Sequence, residues 1–232
     1  NQMRLITNEP LIKRNAAIGK YSATGGLIVL LGGLAVSFFK QDDPQWQFVP
    51  FVTLVVGFIL SNVGIYYSNR YVRPPRPDQA LEAALKGFDD RYHLYHYRAS
   101  TPHMLICPAG VCTLVAKFQS GEVAWDGKRW KQIKGGNFIR SFFGQESLGN
   151  PNAEAASEAE ALSRFLAKKI GPDVPPVQAA VVFYNPNVTV NAKDAPIPAV
   201  HVKQLKEHLR KLPKGPTLSP DQIARLDEAL GL

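Results

Sequence analysis

The sequence predicts a transmembrane helical hairpin followed by a soluble α/β domain. Two long apolar stretches, 21–39 and 44–69, contain no Asp, Glu, Lys or Arg. Each is close to the ~20 residues that a helix needs to cross the hydrocarbon core of a bilayer. After these stretches, short runs of β-branched and aromatic residues alternate with helix-like segments, which is typical of a mixed α/β domain. We therefore expect a hairpin at 21–69 and an α/β domain over 78–212.

The two membrane helices are expected at about 21–39 and 46–67, with a short acidic linker between them that holds Asp42 and Asp43. Basic residues lie on the outer flanks of both helices, where anionic headgroups would meet them. This basic flank consists of Lys13, Arg14, Lys20, Arg70, Arg73 and Arg76. Since Lys and Arg are enriched on the cytoplasmic side, both termini and the α/β domain are expected in the cytoplasm, on a bacterial inner membrane. Residues 1–20 form an N-terminal cytoplasmic segment in this interpretation.

Small residues recur at helix-packing intervals in both spans. Ser22 and Gly26 form one pair, and Gly57 and Ser61 form another. Such pairs let helix backbones approach closely in lipid. They serve either the contact between the two spans or docking on helices of a larger complex.

A Pro- and Arg-rich linker, 70–77, leads into the α/β domain. The pattern predicts elements at 77–86 (helix), 92–97, 104–107, 111–118, 122–125 and 129–133 (strands), 151–170 (helix), 177–184 and 188–190 (strands), and 200–212 (helix). The runs 111–118 and 177–184 are apolar throughout, so we expect them to be buried inner strands of a mixed sheet.

Local signals mark several ends of these elements. Asn150 can cap the 151–170 helix, Pro151 suits its first turn, and Gly171 can end it. Asp126-Gly127 predicts a hairpin with a type I′ turn.

The tail, 213–232, carries a further helix. Ser219 and Gln222 form a capping box, and Ile223, Leu226 and Leu230 form a narrow apolar stripe. This helix packs either on its own domain or on a partner.

Composition bounds the function only loosely. The net charge of +8 suits an anionic lipid surface, nucleic acid or an acidic partner equally. Cys107 and Cys112 lie in apolar runs with a spacing that is poor for a metal site, so we expect two buried free thiols in a reducing compartment.

The stretch from Thr101-Pro102-His103-Met104 through Val115-Ala116-Lys117, with Gly121, Val123 and Trp130 after it, resembles the nuclease-related domain (NERD) family. The later Asn-Pro helix start, the 177–183 strand and the final Val-x-x-Leu helix extend the resemblance over about 78–212. It implies a restriction-endonuclease-like fold with a mixed central sheet. In such nucleases an Asp and a Glu hold Mg²⁺, and a Lys acts on the attacking water or the developing charge.

Carried over residue by residue, the resemblance implies a degenerate site. The Asp position is Pro102, the Glu position is Val115, and the Lys position is retained as Lys117. Glu154 is the nearest equivalent of a later Gln, and Glu82 matches an early glutamate. Since Pro and Val offer no side-chain oxygen, we expect no metal, no cofactor and no catalysis, with Lys117 as a surface lysine at a strand end.

Two other groups of residues are candidate sites. His93, His96 and His103 could share a metal only if they converged, but His93 and His96 should face opposite sides of one strand. A basic group interleaved with aromatic residues could track a phosphate backbone, although a solvated or lipid-facing hairpin is favoured. Its members are Lys117, Lys128, Arg129, Lys131, Lys134 and Arg140, with Trp125, Trp130 and Phe138, and Gly135-Gly136 is a weak phosphate-loop candidate.

The sequence thus favours a non-catalytic, membrane-anchored accessory or scaffold subunit. The expected partners are the membrane and other integral membrane subunits of a larger complex, an energy-transducing one among the options. One alternative is a tethered nuclease whose metal ligands moved to Glu82, Asp90 and Glu122. The other is a tethered nucleic-acid-binding module without cleavage.

Overall fold

A computed structural model describes residues 2–40, 42–133 and 147–232. The chain forms two compact units: residues 1–8 together with 77–232, and residues 9–76. The first eight residues therefore belong to the α/β unit, and the helical unit is an insertion in its chain.

The helical unit consists of α1 (Glu9–Phe39), a 3₁₀ turn (Pro44–Trp46) and α2 (Val49–Tyr71). Both long helices could cross a membrane by length and composition, since their most apolar windows have mean hydropathies of 1.9 and 2.1. Only 11 % of each window is buried, whereas a core helix of a soluble protein would be mostly covered.

Small residues bring α1 and α2 together. A Cβ built on Gly26 would lie 2.8 Å from Ser61 Oγ and 3.1 Å from the Gly57 carbonyl oxygen, and one on Gly64 would lie 2.6 Å from the Ala23 nitrogen. Gly26, Gly57 and Ser61 thus serve the contact between the two helices, one of the two uses that the sequence left open. Ser22 is half-buried.

The α/β unit contains four helices and nine strands within the described residues. The helices are α3 (Pro77–Leu85), α4 (Pro151–Ile170), α5 (Val202–Lys211) and α6 (Pro220–Ala229). The strands are β1 (Arg4–Thr7), β2 (His93–His96), β3 (His103–Cys107), β4 (Gly110–Lys117), β5 (Gly121–Trp125), β6 (Trp130–Ile133), β7 (Val177–Phe183), β8 (Val188–Asn191) and β9 (Ala199–His201).

The main sheet has the strand order β1-β2-β3-β4-β7-β9, and β6-β5-β8 form a smaller sheet. The pairs β1–β2, β4–β7 and β7–β9 are parallel, while β3 is antiparallel to both neighbours. A mixed α/β sheet with β4 and β7 inside it is thus confirmed. All of its strands except β3 run in one direction, so their carboxyl ends meet at one edge.

Alternating side chains give each face of the sheet its own core. Leu94 and Leu105 pack with Leu81 of α3 and Leu205 of α5. Their strand neighbours pack on the other face, in a cluster with the other two helices: Tyr95, Met104, Leu162, Leu166 and Leu226. Helices α3 and α5 therefore cover one face, and α4 and α6 cover the other. The tail helix packs on its own unit, which is one of the two options left open.

Two features differ from the sequence-based expectations. Residues 1–20 are not a separate segment, because Arg4–Thr7 pair with β2 and α1 begins at Glu9. The turn between β5 and β6 is not type I′, which needs positive φ at both central residues. Only Gly127 has positive φ there, and the Asp126 side chain instead accepts hydrogen bonds from the backbone N–H groups of Lys128 and Arg129.

Candidate functional site

Buried polar side chains of the α/β unit concentrate at the edge where the carboxyl ends of the parallel strands meet. Ligand sites of open α/β sheets usually lie at this kind of edge. The residues are His96, Thr101, His103, Gln119 and Asn185. The retained lysine of the predicted site, Lys117, ends β4 at the same edge.

Lys117 is not the surface lysine that the sequence suggested. Its side chain is only 11 % exposed, and its ammonium forms an ion pair and hydrogen bond with Glu154 of α4, whose side chain is 40 % exposed. One helical turn later, Glu158 accepts a hydrogen bond from Thr113 Oγ1 at 2.9 Å. Because residues two apart on a strand share a face, α4 meets β4 through two polar contacts on one side of the sheet.

The two positions at which the family resemblance expects carboxylates, Pro102 and Val115, offer no side-chain oxygen. Pro102 lies directly before β3 and is exposed, whereas Val115 belongs to β4, the strand that pairs with β3. Val115 is 3 % exposed and belongs to an apolar cluster with Ala155 and Phe183. A hard cation such as Mg²⁺ needs several oxygen ligands, and these two side chains supply none.

Glu82 lies on the opposite face of the sheet from Glu154, because α3 and α4 cover different faces. Its carboxylate is 3.8 Å from Nε2 of His96. The three residues that the resemblance singled out are therefore split: Lys117 and Glu154 meet, and Glu82 does not join them.

His96 and His103 are paired across β2 and β3 and are fully buried, with their Nδ1 atoms 2.7 Å apart. Of two such nitrogens, one must donate a proton and the other accept it. Burial, and then the neighbouring His96, hold the pKa of His103 well below its usual value. His93 does not join them, and its Nε2 is 3.1 Å from the carbonyl oxygen of Asp90. Sequence reasoning missed this pair, because the sequence of a strand does not show which residue of the neighbouring strand lies opposite each of its own.

The alternative carboxylate ligands do not converge either. Glu82 contacts His96 as above, while Glu122 accepts a hydrogen bond from Asn191 Nδ2 at 2.7 Å in the smaller sheet. Within residues 2–40, 42–133 and 147–232, no group of three or more His, Cys, Asp or Glu side chains is placed to hold a metal ion.

The basic hairpin of β5 and β6 is partly neutralised from within. Asp126 lies 2.8 Å from Lys131 Nζ and 3.8 Å from Arg129 Nε. The hydrogen bond from Lys131, followed by those from the backbone N–H groups of Arg129 and Lys128, lowers the pKa of Asp126. Trp130 packs toward Phe183, with ring centroids 6.1 Å apart, so it is not an open platform for base stacking. The remaining members of the group, Lys134, Gly135, Gly136, Phe138 and Arg140, lie outside the described residues.

Both cysteines are buried free thiols. Burial raises the pKa of Cys107, and burial with the nearby Cys107 raises the pKa of Cys112 to about 12. Since the thiolate is the reactive form, neither residue is a candidate nucleophile.

The predicted basic flank lies at the outer ends of the helical unit. Lys13, Arg14 and Lys20 are exposed on α1. On α2, the guanidinium of Arg70 lies over the Tyr66 ring at 3.8 Å, and Arg73 follows the helix as an exposed residue. Arg76, directly before α3, is half-buried.

No family model, curated protein or solved structure matches this chain.

Proposed function

We propose that this chain is a non-catalytic accessory or scaffold subunit of a larger bacterial membrane complex, such as an energy-transducing one. Its helical unit anchors it in the inner membrane, and its α/β unit is a degenerate nuclease-like domain on the cytoplasmic side. The observation that carries the non-catalytic part is the state of Lys117, which is neutralised by Glu154 and lies beside Val115 instead of a metal-binding carboxylate.

Strand β4 supports carrying the family motif onto this chain. Val115 and Lys117 are two residues apart on β4 and so share a face, as the Glu-x-Lys part of the motif requires, and Pro102 directly precedes β3, the neighbour of β4. Under this proposal, two of the three motif side chains, Pro102 and Val115, have lost their chemistry.

The N-terminal strand supports a two-pass topology. Because β1 belongs to the same sheet as β2, the chain before α1 and the chain after α2 must end on the same side of a membrane that both helices cross. The acidic residues Asp42 and Asp43 then lie on the other side. The basic flank favours the cytoplasm for the α/β unit.

Extraction in a mild detergent, followed by affinity purification and mass spectrometry, tests the proposal. We expect a reproducible set of other integral membrane proteins in constant ratio to this chain. A Gly26→Val variant, which disturbs the contact between α1 and α2, should lose part of that set of proteins. Recovery of the chain alone, or with nucleic acid and no membrane subunits, would contradict the scaffold role.

A further inference from the structure

The two helical layers of the α/β unit differ in charge. Helix α5 carries four Lys or Arg and one Glu, whereas α4 and α6 together carry four Lys or Arg and six Asp or Glu. Helix α3, which packs beside α5, adds Glu82 and the buried Asp78, so these two helices together carry four Lys or Arg and three Asp or Glu. The α3–α5 face is therefore the more basic of the two, and the face covered by α4 and α6 is the more acidic. Such separated charge orients a protein in the field of a charged surface.

Two cations of the α3–α5 face, Lys206 and Arg210, are restrained by contacts within the unit. Lys206 Nζ and Arg210 Cζ lie 5.2 Å and 5.6 Å from the ring centroid of Phe88, and Lys206 also donates to the Lys86 carbonyl. Phe88 in turn stacks on Tyr92 with 3.9 Å between centroids. Side chains that are already restrained lose less entropy when they bind.

Two carboxylates near this face already form ion pairs with neighbouring cations. Glu207 pairs with Lys211 at 2.7 Å, and Asp89 pairs with Arg91 at 2.6 Å. Asp90, in the loop before β2, adds one exposed negative charge, and Glu82 of α3 adds a partly exposed one, 3.8 Å from Nε2 of His96. The positive charges that remain are those of Lys86, Lys203, Lys206 and Arg210, which we call the basic face.

Geometry decides which polyanion fits the basic face. Single-stranded nucleic acids bind where exposed aromatic rings can stack on bases, but Phe88 and Tyr92 are only 6 % and 8 % exposed. A bilayer surface needs no such platform. Only five residues separate the end of α2 from the start of α3, and two of them are Arg73 and Arg76.

We infer that the basic face of α3 and α5 docks on the anionic lipid headgroups of the membrane in which the chain is anchored. The inference rests on the proposed membrane anchorage and adds a surface that the flanks of the helices do not include. Each Lys or Arg near an anionic bilayer strengthens binding by about fivefold, so the basic face is sufficient to hold a tethered domain against the lipid.

The test uses the full chain in nanodiscs of phosphatidylcholine alone and of phosphatidylcholine mixed with phosphatidylglycerol. Acetylation of lysines by an amine-reactive reagent is followed residue by residue by mass spectrometry. We expect Lys203 and Lys206 to react about fivefold or more slowly in the anionic discs, while Lys168 and Lys169 of α4 react equally in both. High salt, which shortens the Debye length from about 10 Å to about 3 Å, should abolish the protection.

Charge-reversal variants identify the surface. Lys203→Glu with Lys206→Glu should remove the protection of Lys86 in anionic discs, whereas the matched pair Lys168→Glu with Lys169→Glu should leave it unchanged. Equal labelling of Lys203 and Lys206 in both discs would overturn the docking inference and leave the proposed anchorage standing. Protection of these two lysines by added DNA in phosphatidylcholine discs would do the same. Release of the chain from lipid vesicles by alkaline carbonate would instead overturn the anchorage, and the inference with it.

Discussion

The ammonium of Lys117, at the end of β4, is paired with the carboxylate of Glu154 in the first turn of α4. The lysine is nearly buried and the glutamate is partly exposed. Loss of the ion pair should therefore be more costly for the lysine, which water cannot readily solvate, than for the glutamate. In an active two-carboxylate site the lysine would face a metal and its water. Here it joins a helix to the sheet.

Removal of Glu154 should cost more stability than removal of Lys117. Glu154→Gln leaves a nearly buried ammonium without its counter-charge and should cost about 2 kcal/mol, whereas Lys117→Met leaves a carboxylate that water can reach and should cost about 1 kcal/mol. The midpoint of thermal unfolding of the full chain in detergent should fall by about 2–4 °C per kcal/mol. Equal losses would show that the pair behaves as a surface ion pair, as the sequence alone had suggested.

Acid should destabilise the α/β unit through the buried histidine pair. Unfolded His103 titrates near 6.5, and its pKa in the folded chain is far lower, so the unfolded chain binds more protons below that pH. The stability is therefore complete above pH 6.5 and falls with decreasing pH until the folded pKa is reached, by up to about 1.4 kcal/mol per pH unit. Thermal unfolding midpoints of the full chain across this pH range measure the slope.

His103→Asn should flatten this slope, because residue 103 then has no imidazole to protonate. His208 also has a lowered pKa, caused by burial, and its contribution should remain in the variant. An unchanged slope in His103→Asn would contradict the assignment to the buried pair.

The packing of α1 on α2 can be tested with two neighbouring glycines. A Cβ on Gly26 would lie 3.0 Å from the Ser61 backbone nitrogen, whereas nothing lies within 4 Å of a Cβ on Gly25. Gly26→Val should therefore lower the thermal midpoint of the helical unit and reduce cysteine cross-linking between α1 and α2. Gly25→Val, in the same helix, should leave both unchanged. Similar losses in the two variants would mean that the helices do not pack through this stripe.

The inner strands and the long helix of the α/β unit could be predicted because their signals are local. Asn150 accepts a hydrogen bond from the Ala153 N–H as a cap, Gly171 ends α4, and apolar runs form β4 and β7.

Features that depend on long-range pairing could not be predicted in this way. Strand β1 has four residues and exists only because it pairs with residues 93–96. The juxtaposition of His96 with His103, and the burial of Lys117 under α4, likewise depend on register and packing. One sequence signal for the α1–α2 contact was missed: Gly19 and Gly33 lie seven residues to either side of Gly26, and both also meet α2.

The proposed two-pass topology predicts which engineered cysteines are open to labelling. Asp42, between the spans, is exposed, and so is Ser219 of the α/β unit. Asp42→Cys should react with a membrane-impermeant maleimide on intact cells, and Ser219→Cys should react only after the cells are broken. The native thiols give little background because Cys107 and Cys112 are buried. The opposite labelling pattern would place the α/β unit outside the cytoplasm.

The most direct test of the non-catalytic assignment is a cleavage assay with the purified full chain, using plasmid and single-stranded DNA in Mg²⁺ or Mn²⁺. Lys117→Ala is the matched control, since it removes the one residue that the proposed family resemblance leaves in place. We predict no cleavage above the level of the variant, because Pro102 and Val115 give a metal no oxygen ligand and Glu154 already neutralises Lys117. Metal-dependent cleavage by the natural chain that Lys117→Ala abolishes would contradict the account.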